Sequence, residues 1–386
     1  MKRWLGLAAI LFVLMTVVPV VAATDLSIGQ YEKLVSTYSI DNSIPSYEDY
    51  REAHGAIRPE KRIEIDGAQV VRYEEADVEA PIVLHDYDGM SGDVLLTGEE
   101  ALTEWEFSVE ETGWYDIRVE YYPYPGKDSE IQRAFFFDGK LPYNELSLVS
   151  FARIWRNDLH EQVIREKDEN GIDVIRWRKD NQGNDLKPSP AEAPEWVEAP
   201  LHDSNGYITD DLGVYLEAGT HTVSMLSLRE TMLIRRIILE NTEKPLCYKD
   251  QVCDSLPQAH GISVRIEAET AEKTSSQMLY PVQEQGSAAV FPASARYLLN
   301  NTIGGNAWKS AGQWIEWSFT VPEEGDYCLS FYDKQNFVRG IDIYRKIYVD
   351  GQVPFAEFNA LPFGYSQSWR METATDRSGE PFRMHL

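Results

Sequence analysis

The sequence of 386 residues is short of positive charge. Its 36 Lys and Arg residues stand against 63 Asp and Glu residues, which gives a formal net charge of −27. Proteins bind nucleic acids and anionic membrane surfaces through basic patches, so this balance argues against both as partners. A neutral ligand meets no such penalty.

Cysteine is also scarce, with three residues in the chain. Cys247 and Cys253 lie close together in LCYKDQVCD, and Cys328 stands apart from them. In an exported protein this spacing allows a small disulfide loop, and two free thiols are an equally good interpretation. Metal binding by the pair is not favoured because no histidine lies nearby.

The common catalytic motifs are missing. The sequence contains no HExxH, GxSxG, GxxxxGK[ST], GxGxxG or paired CxxC pattern. Each of these patterns positions a metal ion, a nucleophile or a phosphate group for chemistry. We therefore predict that the chain is not an enzyme.

Long apolar runs are confined to the first residues, MKRWLGLAAILFVLMTVVPVVAA. Two basic residues, an apolar run and small residues at Ala22 and Ala23 are typical of a secretory signal peptide, here residues 1–23. A signal anchor is the alternative, because the run approaches the length of a membrane span. No cysteine follows the run, which excludes a lipid anchor at that point. We expect an extracellular or cell-surface protein.

A long segment of the sequence is repeated. RAFFFDGKLPY, which begins at Arg133, matches RKIYVDGQVPF, which begins at Arg345. WEFSVEETGWYDIRV matches WSFTVPEEGDYCLSF in the same register and without a gap. A constant offset over such a length indicates an internal duplication.

Each copy has the pattern of β-strands. Apolar residues recur at every second position, which is typical of half-buried strands. Asp-Gly after each motif fits the tight turn of a hairpin. We predict an all-β protein with two tandem antiparallel β-sandwiches, in which long side chains such as Arg133 and Arg345 bond within their own sandwich.

A short helix is predicted before the first sandwich. In SYEDYREAH, Ser46 can cap the helix and Asp49 can complete a capping box. The second copy reaches Leu386 before the match to the last strands of the first copy, so we expect it to be truncated. The predicted organisation is a signal peptide (1–23), a helical lead-in (24–62), a first β-sandwich (63–242), a connector (243–262) and an incomplete second β-sandwich (263–386).

Aromatic residues are the most informative class, with 10 Trp and 21 Tyr. Flat apolar rings bordered by polar side chains are suited to stacking on neutral sugars. Trp105, Trp155 and Trp317 fit core positions and need no ligand. Trp308, in NTIGGNAW, and Tyr365, in GYSQSW, fall outside the strand alternation and are candidates for a binding site, with Asn306 and Gln367 placed to bond sugar hydroxyls.

The segments IEAE, GQWIEWSFTVPEEGDY, IYVDG and YSQSW resemble jelly-roll carbohydrate-binding modules of the galactose-binding-like superfamily. In that family an aromatic residue four positions before a buried tryptophan often stacks on the sugar. The resemblance implies this role for Tyr365 before Trp369, and for Phe151 before Trp155.

The same resemblance implies a structural calcium ion. Glutamates of the IEAE strand often help to bind it, which points to Glu267 and Glu269. In the first copy the matched segment is YEEA, where Glu74 is retained and Ala76 takes the second place. This departure argues against calcium in the first sandwich, and the truncated second sandwich would lack the ligands of its final strand.

Nearly the whole chain resembles the N-terminal region of large bacterial extracellular solute-binding proteins of carbohydrate ABC transporters. The segments that carry this resemblance are RIEIDG, YYPYPGKDSEIQRAFFFDGKLPY, DNQGNDLKPSPAEAPEW, LHDSNGY, NTIGGNAW and KQNFVRGIDIYRKIYVDGQVPF. It implies a neutral oligosaccharide or polysaccharide as ligand, and transporter membrane components as partners of a missing downstream domain. A cell-wall or glycan-binding adhesin module, an accessory module of a secreted glycoside hydrolase and a spacer without a ligand are the alternatives.

Overall fold

The computed structural model describes residues 26–37, 44–157, 163–167, 173–251 and 261–386. Strands dominate these ranges, and they pair antiparallel. The predicted all-β sandwich class is therefore confirmed. The predicted signal peptide lies outside the described residues, and no helix of the described part of the chain is long and apolar enough to cross a membrane.

The described residues contain three α-helices, α1 (Ile28–Thr37), α2 (Tyr47–Ala53) and α3 (Tyr248–Gln251). Helix α2 begins with the predicted capping box, in which the Asp49 N–H donates to the Ser46 side chain and the Ser46 N–H donates to the Asp49 side chain. Short 3-10 turns occur at Tyr87–Gly89, Asn144–Ser147, Ala268–Thr270, Gly305–Ala307 and Ala356–Ala360.

The first unit contains the strands up to residue 240. They are β1 (Ile63–Asp66), β2 (Arg72–Glu75), β3 (Ile82–His85), β4 (Asp93–Thr97), β5 (Ala101–Val109), β6 (Gly113–Pro123), β7 (Ile131–Phe137), β8 (Val149–Phe151), β9 (Trp155–Arg156), β10 (Val163–Lys167), β11 (Asp173–Trp177), β12 (Ala191–Glu192), β13 (Val197–Pro200), β14 (Gly213–Leu216), β15 (Gly219–Arg229) and β16 (Met232–Glu240).

Two sheets of the first unit enclose its core. One sheet has the order β13-β6-β16-β4-β3, with β1 also paired to β16 and β14 also paired to β6. The other has the order β2-β5-β15-β7-β8. Since successive side chains of a strand point to opposite faces, Ile117, Val119 and Tyr121 of β6 all enter the core, where they join Trp105 of β5.

The second unit has shorter strands and a smaller core. Its strands are β17 (Lys273–Thr274), β18 (Pro281–Val282), β19 (Thr302–Ile303), β20 (Ile315–Glu316), β21 (Asp326–Cys328), β22 (Ser330–Asp333), β23 (Ile343–Arg345), β24 (Leu361–Phe363), β25 (Arg370–Thr373) and β26 (Arg383–His385). The core is built around Phe355, Phe358 and Phe382. Within residues 261–386 the strands form pairs rather than two wide sheets, and Phe319 is 46% exposed whereas its counterpart Phe107 is 8% exposed.

The pairing of the first unit is repeated in the second, which confirms the duplication. Strand β26 pairs with β21 as β14 pairs with β6, and β24 pairs with β23 as β8 pairs with β7. The matched residue pairs are Tyr327↔Met384 with Tyr115↔Val214, and Arg345↔Leu361 with Arg133↔Val149.

Both Asp-Gly turns have the backbone conformation that the sequence predicts. Asp138 and Gly139 have φ values of 50° and 68°, and Asp350 and Gly351 have values of 49° and 77°. Positive φ at both central residues defines a type I′ turn, whose twist matches that of the two strands it joins.

The repeated arginines bond within their own units, as predicted. The Arg133 side chain is fully buried, and it donates to the carbonyl oxygens of Arg229 and Glu230 at 2.8 and 3.0 Å and to Thr97 Oγ1 at 3.1 Å. Arg345 is half-buried and donates to the Tyr344 carbonyl at 3.0 Å. Arg133 therefore ties β7 to the turn between β15 and β16.

The predicted core tryptophans differ in burial. Trp105 and Trp155 are 0% and 5% exposed, which confirms them as core residues. Trp317 is half-buried, so its prediction as a core residue holds only in part. Trp105 and its counterpart Trp317 nevertheless form the same kind of hydrogen bond. The Trp105 indole N–H donates to the Gly67 carbonyl at 3.0 Å, and the Trp317 indole N–H donates to the Ala268 carbonyl at 2.9 Å.

Helix α2 is fixed to the first sandwich by Tyr47. Its backbone N–H donates to Glu145 Oε2 at 2.9 Å, and its hydroxyl accepts from the Gly213 N–H at 3.1 Å. The ring packs against Tyr143 with a centroid distance of 4.7 Å. We call these contacts the tyrosine clamp.

The tyrosine clamp is present a second time. The Tyr248 N–H donates to Glu357 Oε2 at 2.9 Å, and the Tyr248 hydroxyl accepts from the Arg383 N–H at 3.1 Å. The Tyr248 ring packs against Phe355 at 5.1 Å. The segment predicted as a connector, 243–262, therefore contains the second copy of the helical lead-in, which belongs to the second unit.

The two units are in contact. Thr274 of β17 pairs with Trp155 of β9, so the sheet β12-β9-β17-β20 contains strands of both units. Asp185, in the segment that follows β11, accepts from the Asn300 N–H at 3.0 Å and donates its own N–H to the Leu298 carbonyl at 2.8 Å. The units are docked against each other rather than joined only by the chain.

Cys247 and Cys328 are exposed. Cys253 lies outside the described residues, and a bridge between Cys247 and Cys253 stays a prediction.

Removing Arg133 should destabilise the protein more than removing its repeat partner. In Arg133→Leu, buried carbonyl groups lose their donors, and we expect a loss of about 3 kcal/mol in the free energy of unfolding. The matched variant Arg345→Leu removes a half-exposed side chain and should cost under about 1 kcal/mol. Urea unfolding measures both, and equal losses would contradict the structural role assigned to Arg133.

Candidate functional site

The outer face of the large sheet in the first unit carries an aromatic patch. Tyr121 points into the main core, whereas the next residue, Tyr122, belongs to a separate cluster with Val94 and Leu233 on the opposite face. Trp196, Tyr87 and Tyr124 are half-buried and pack against that cluster. We call Tyr87, Tyr122, Tyr124 and Trp196 the Trp196 patch.

The rings of the Trp196 patch are close and well supported. The Tyr122 ring centroid lies 5.4 Å from that of Trp196 and 5.2 Å from that of Tyr87. The Trp196 indole N–H donates to the Tyr87 carbonyl at 3.1 Å. Asp86 and Asp88, on either side of Tyr87, have φ values of 50° and 45°, a conformation that costs energy in residues other than glycine. The loop thus holds Tyr87 in a defined position.

The outer face of the second unit carries a similar patch, formed by Tyr332, Lys334, Trp369 and Met371, which we call the Trp369 patch. Tyr332 and Met371 are 41% and 65% exposed. The rings of Tyr332 and Trp369 are stacked, with centroids 5.8 Å apart and planes 25° apart. Lys334 Nζ lies 5.1 Å from the Trp369 ring centroid and 2.7 Å from Glu284 Oε2.

Strand register shows that Trp196 and Trp369 are equivalent residues of the two units. Val197 pairs with Tyr121, and Arg370 pairs with Asp333, which stands 212 residues after Tyr121. The residue before Val197 is Trp196 and the residue before Arg370 is Trp369. The duplication therefore places a tryptophan just before the strand that pairs with β6 and again just before the strand that pairs with β22.

This register corrects two of the predicted equivalences. Phe151 pairs with Ile131 as Phe363 pairs with Ile343, so Phe363 and not Tyr365 is the counterpart of Phe151. Trp369 likewise corresponds to Trp196 and not to Trp155. The first unit has the long segment 152–195 where the second unit has only 364–368, and the sequence motifs on either side do not reveal this difference in length.

The prediction of Phe151 as a sugar-binding residue is wrong. Phe151 is 2% exposed, and its ring packs against those of Tyr121 and Phe135 at 5.1 and 6.3 Å. A ring enclosed in this way has no free face for a ligand.

Trp369 is half-buried at the outer face and stacks on Tyr332. The expectation that it is a buried core residue is therefore also wrong.

Tyr365 and Gln367 lie together beside the Trp369 patch. Gln367 Nε2 donates to the Tyr365 hydroxyl at 3.0 Å, and both residues belong to the loop 364–368 that leads to Trp369. The Ser366 N–H donates to the Gln335 carbonyl at 2.7 Å, which anchors this loop one residue after Lys334.

Trp308 and Asn306 lie elsewhere in the second unit. Asn306 is exposed in the 3-10 turn Gly305–Ala307. The Arg345 guanidinium lies 4.3 Å from the Trp308 ring centroid, and the indole N–H donates to the Gln313 carbonyl at 3.1 Å. Among the described residues no hydrogen bond or ring contact joins Trp308 to Tyr365, so the structure gives the two predicted platforms separate partners.

The predicted calcium ligands do not form a calcium site. Glu267 forms an ion pair with Arg265 at 2.6 Å, and Glu269 is 5% exposed in a 3-10 turn rather than in a strand. Calcium takes six to eight oxygen ligands, and the described residues contain no group of three or more His, Cys, Asp or Glu side chains that could hold a metal ion. The residues present therefore do not fit the ion.

The predicted equivalence of YEEA and IEAE is wrong as well. The Trp105 and Trp317 indoles bond to Gly67 and Ala268, and β2 pairs with β5 as β17 pairs with β20. This register aligns Glu267 with Asp66 and not with Glu74.

Sequence reasoning missed Trp196 and Tyr332, the residues that define the patches. Tyr332 follows the apolar residue Phe331 in a strand, and its exposed face becomes visible only when the partner strand is known. Trp196 and Trp369 each stand just before a strand. This shared position is not visible in the sequence because the preceding segments, 152–195 and 364–368, differ greatly in length.

No protein-family model and no curated protein matches the sequence. Among solved structures, the CBM35 from Cellvibrio japonicus Abf62 is 13% identical, with 47% of this chain and 95% of that chain covered and a TM-score of 0.27. The carbohydrate-binding module CBM6cm-2 from Cellvibrio mixtus lichenase 5A, in complex with cellotriose, is 9% identical, with coverages of 47% and 98% and a TM-score of 0.24.

A Podospora anserina GH26-CBM35 β-(1,4)-mannanase is 11% identical, with 48% of this chain covered and a TM-score of 0.27, and the chain spans 29% of the length of that enzyme. Each of these three likenesses covers less than half of this chain.

Ionisation of Glu269 should destabilise the second unit. Burial raises the pKa of Glu269 to about 7, from about 4.5. Between these values the unfolded chain loses the proton and the folded protein keeps it, so the free energy of unfolding falls as the pH rises through this window. Glu269→Gln, which stays neutral, should match the wild type at pH 4 and exceed it in stability at pH 8.

Urea unfolding at both pH values measures this difference. Glu267→Gln is the control, because Glu267 is half-exposed and paired with Arg265. A Glu269→Gln variant that is less stable than the wild type at pH 8 would show that the ionised carboxylate is needed there.

Proposed function

We propose that this chain is a non-catalytic glycan-binding region and that it binds neutral oligosaccharides or polysaccharides through the Trp369 and Trp196 patches. The observation that carries the proposal is the equivalence of the two tryptophans in strand register. A side chain on the outer face of a sheet is not required for the core, so its recurrence at the equivalent position calls for a role at the surface.

The chemistry of the Trp369 patch suits a sugar. Aromatic rings offer flat apolar faces to the C–H groups of a pyranose. Lys334 and Glu284 supply a donor and acceptors for hydroxyl groups. On the same face Ser330 and Thr373 hydroxyls lie 2.8 Å apart, and the loop with Tyr365 and Gln367 borders the patch.

The net charge favours an uncharged ligand at these patches. The chain carries −27 formal charges, and Glu284 beside Trp369 adds a local negative charge. Neutral polysaccharides bind without electrostatic repulsion.

We further propose that the region belongs to an exported solute-binding protein of a carbohydrate ABC transporter. The resemblance of nearly the whole sequence to the N-terminal region of such proteins supports this assignment. Residues 1–23 would direct export to the cell surface, and membrane components of the transporter would be partners of a downstream domain. The glycan patches would then hold polysaccharide near the site of uptake.

The patches can be tested by calorimetry with neutral xylan, mannan and mixed-linkage glucan. We expect at least one of these to bind the full chain, and Trp369→Ala to weaken binding about tenfold or more, which corresponds to about 1.4 kcal/mol. Trp196→Ala should weaken binding at the first patch in the same way. The fold should survive both changes, since neither residue lies in a main core.

Tyr207→Ala is the matched control, because Tyr207 is 89% exposed and lies in neither patch. It should leave the affinity unchanged. Unaltered affinity in both tryptophan variants would overturn the assignment of the patches.

A further inference from the structure

A basic cleft lies beside helix α2, away from both aromatic patches. It has a volume of about 240 Å³ and is lined by Arg51, His54, Gly55, Ala56, Arg58, Trp114 and Lys244. Every charged or titratable side chain of this lining is a base. In a chain with a net charge of −27, such a concentration of bases needs an explanation.

The carboxylates that contact these bases leave an excess of positive charge. Asp210 is shared, since its Oδ2 lies 3.3 Å from Arg51 Nη1 and 3.3 Å from Lys244 Nζ. Asp116 pairs with Arg58 at 3.1 Å. Three permanent cations thus face two carboxylates. The side chains of Arg51, Asp210 and Lys244 are 45% to 63% exposed, so these pairs are weak and open to exchange with a ligand.

The cleft is held in shape by buried contacts. The Trp114 indole N–H donates to the Gly55 carbonyl at 2.6 Å, and its ring meets those of Tyr50 and Tyr215 edge-on at 5.5 and 5.9 Å. His54 Nδ1 lies 2.7 Å from the Tyr50 carbonyl. Because a carbonyl oxygen only accepts, Nδ1 carries the proton, and in the neutral ring Nε2 is an acceptor that suits a hydroxyl group rather than an anion.

We propose that this cleft binds the anionic group, a carboxylate or phosphate, of an acidic sugar. Guanidinium groups match the paired oxygens of both anions, and an ammonium adds a point charge. The volume admits about one sugar ring. The choice of a sugar as the carrier rests on the proposed glycan-binding function, whereas the preference for an anion rests on the cleft alone.

The proposal is tested with variants of the full chain, one of which should tighten the binding of acidic sugars and one of which should weaken it. The probes are glucuronate, glucose 6-phosphate, glucose and inorganic phosphate, measured by calorimetry at low salt. We expect the two acidic sugars to bind and glucose to fail at this cleft. Asp210→Asn should tighten binding at least threefold by freeing Arg51 and Lys244. The double variant Arg51→Gln/Lys244→Gln should weaken binding at least fivefold. Arg58 is not substituted, because it forms the ion pair with the buried Asp116 carboxylate.

A control of equal charge change is Lys61→Gln/Lys127→Gln, whose residues pair with Glu110 and Glu99 and do not line the cleft. It should bind as the wild type does. Three results would overturn the proposal. Glucose and glucuronate could bind equally well, or Asp210→Asn and the double variant could leave binding unchanged. Inorganic phosphate could also bind as tightly as glucose 6-phosphate. Neutral polysaccharide binding is measured separately. If no neutral polysaccharide binds, the proposed role of the aromatic patches is wrong, but the result does not bear on the anion site.

Discussion

The register of strand β6 is the constraint on which the rest of the structure depends. In an antiparallel pair a slip of one residue moves every side chain to the opposite face. The pairing of Tyr121 with Val197 sends Tyr121 into the core and Tyr122 outward, where Tyr122 meets Trp196. The same pairing in the second unit sends Tyr332 and Trp369 outward together. Core and candidate binding surface are thus fixed by one set of hydrogen bonds.

The two tyrosine clamps show that each copy of the duplication includes the short helix that precedes its sandwich. Tyr47 and Tyr248 each use the backbone N–H, the hydroxyl and the ring to join a short helix to its sandwich. A helix as short as α3 gains little stability alone, since the first turn is costly to form. Packing against Phe355 provides the missing stability. The repeated unit is therefore a helix with its sandwich.

The central strands and turns could be predicted from the sequence because the copies align there without a gap. Apolar alternation and Asp-Gly are local signals, and Arg133 and Gly139 behave as those signals indicate. The errors arose where the offset changes. An insertion such as 152–195 leaves no local trace of where the strand resumes, so Phe151 was matched to Tyr365 and Glu267 to Glu74. Only hydrogen-bond pairing, which joins distant segments, reveals the correct partners.

The pairing of β9 with β17 has a consequence for how a long polymer would be held. Docked units present their two patches at one fixed spacing and orientation, whereas a flexible linker would sample many. A second contact along one polysaccharide strand then adds avidity only when the repeat of the polymer matches that spacing. The segment 152–195 supplies β9 and would thereby set the distance between the two patches. The protein would then select a polysaccharide by the length of its repeat as well as by the identity of its sugars.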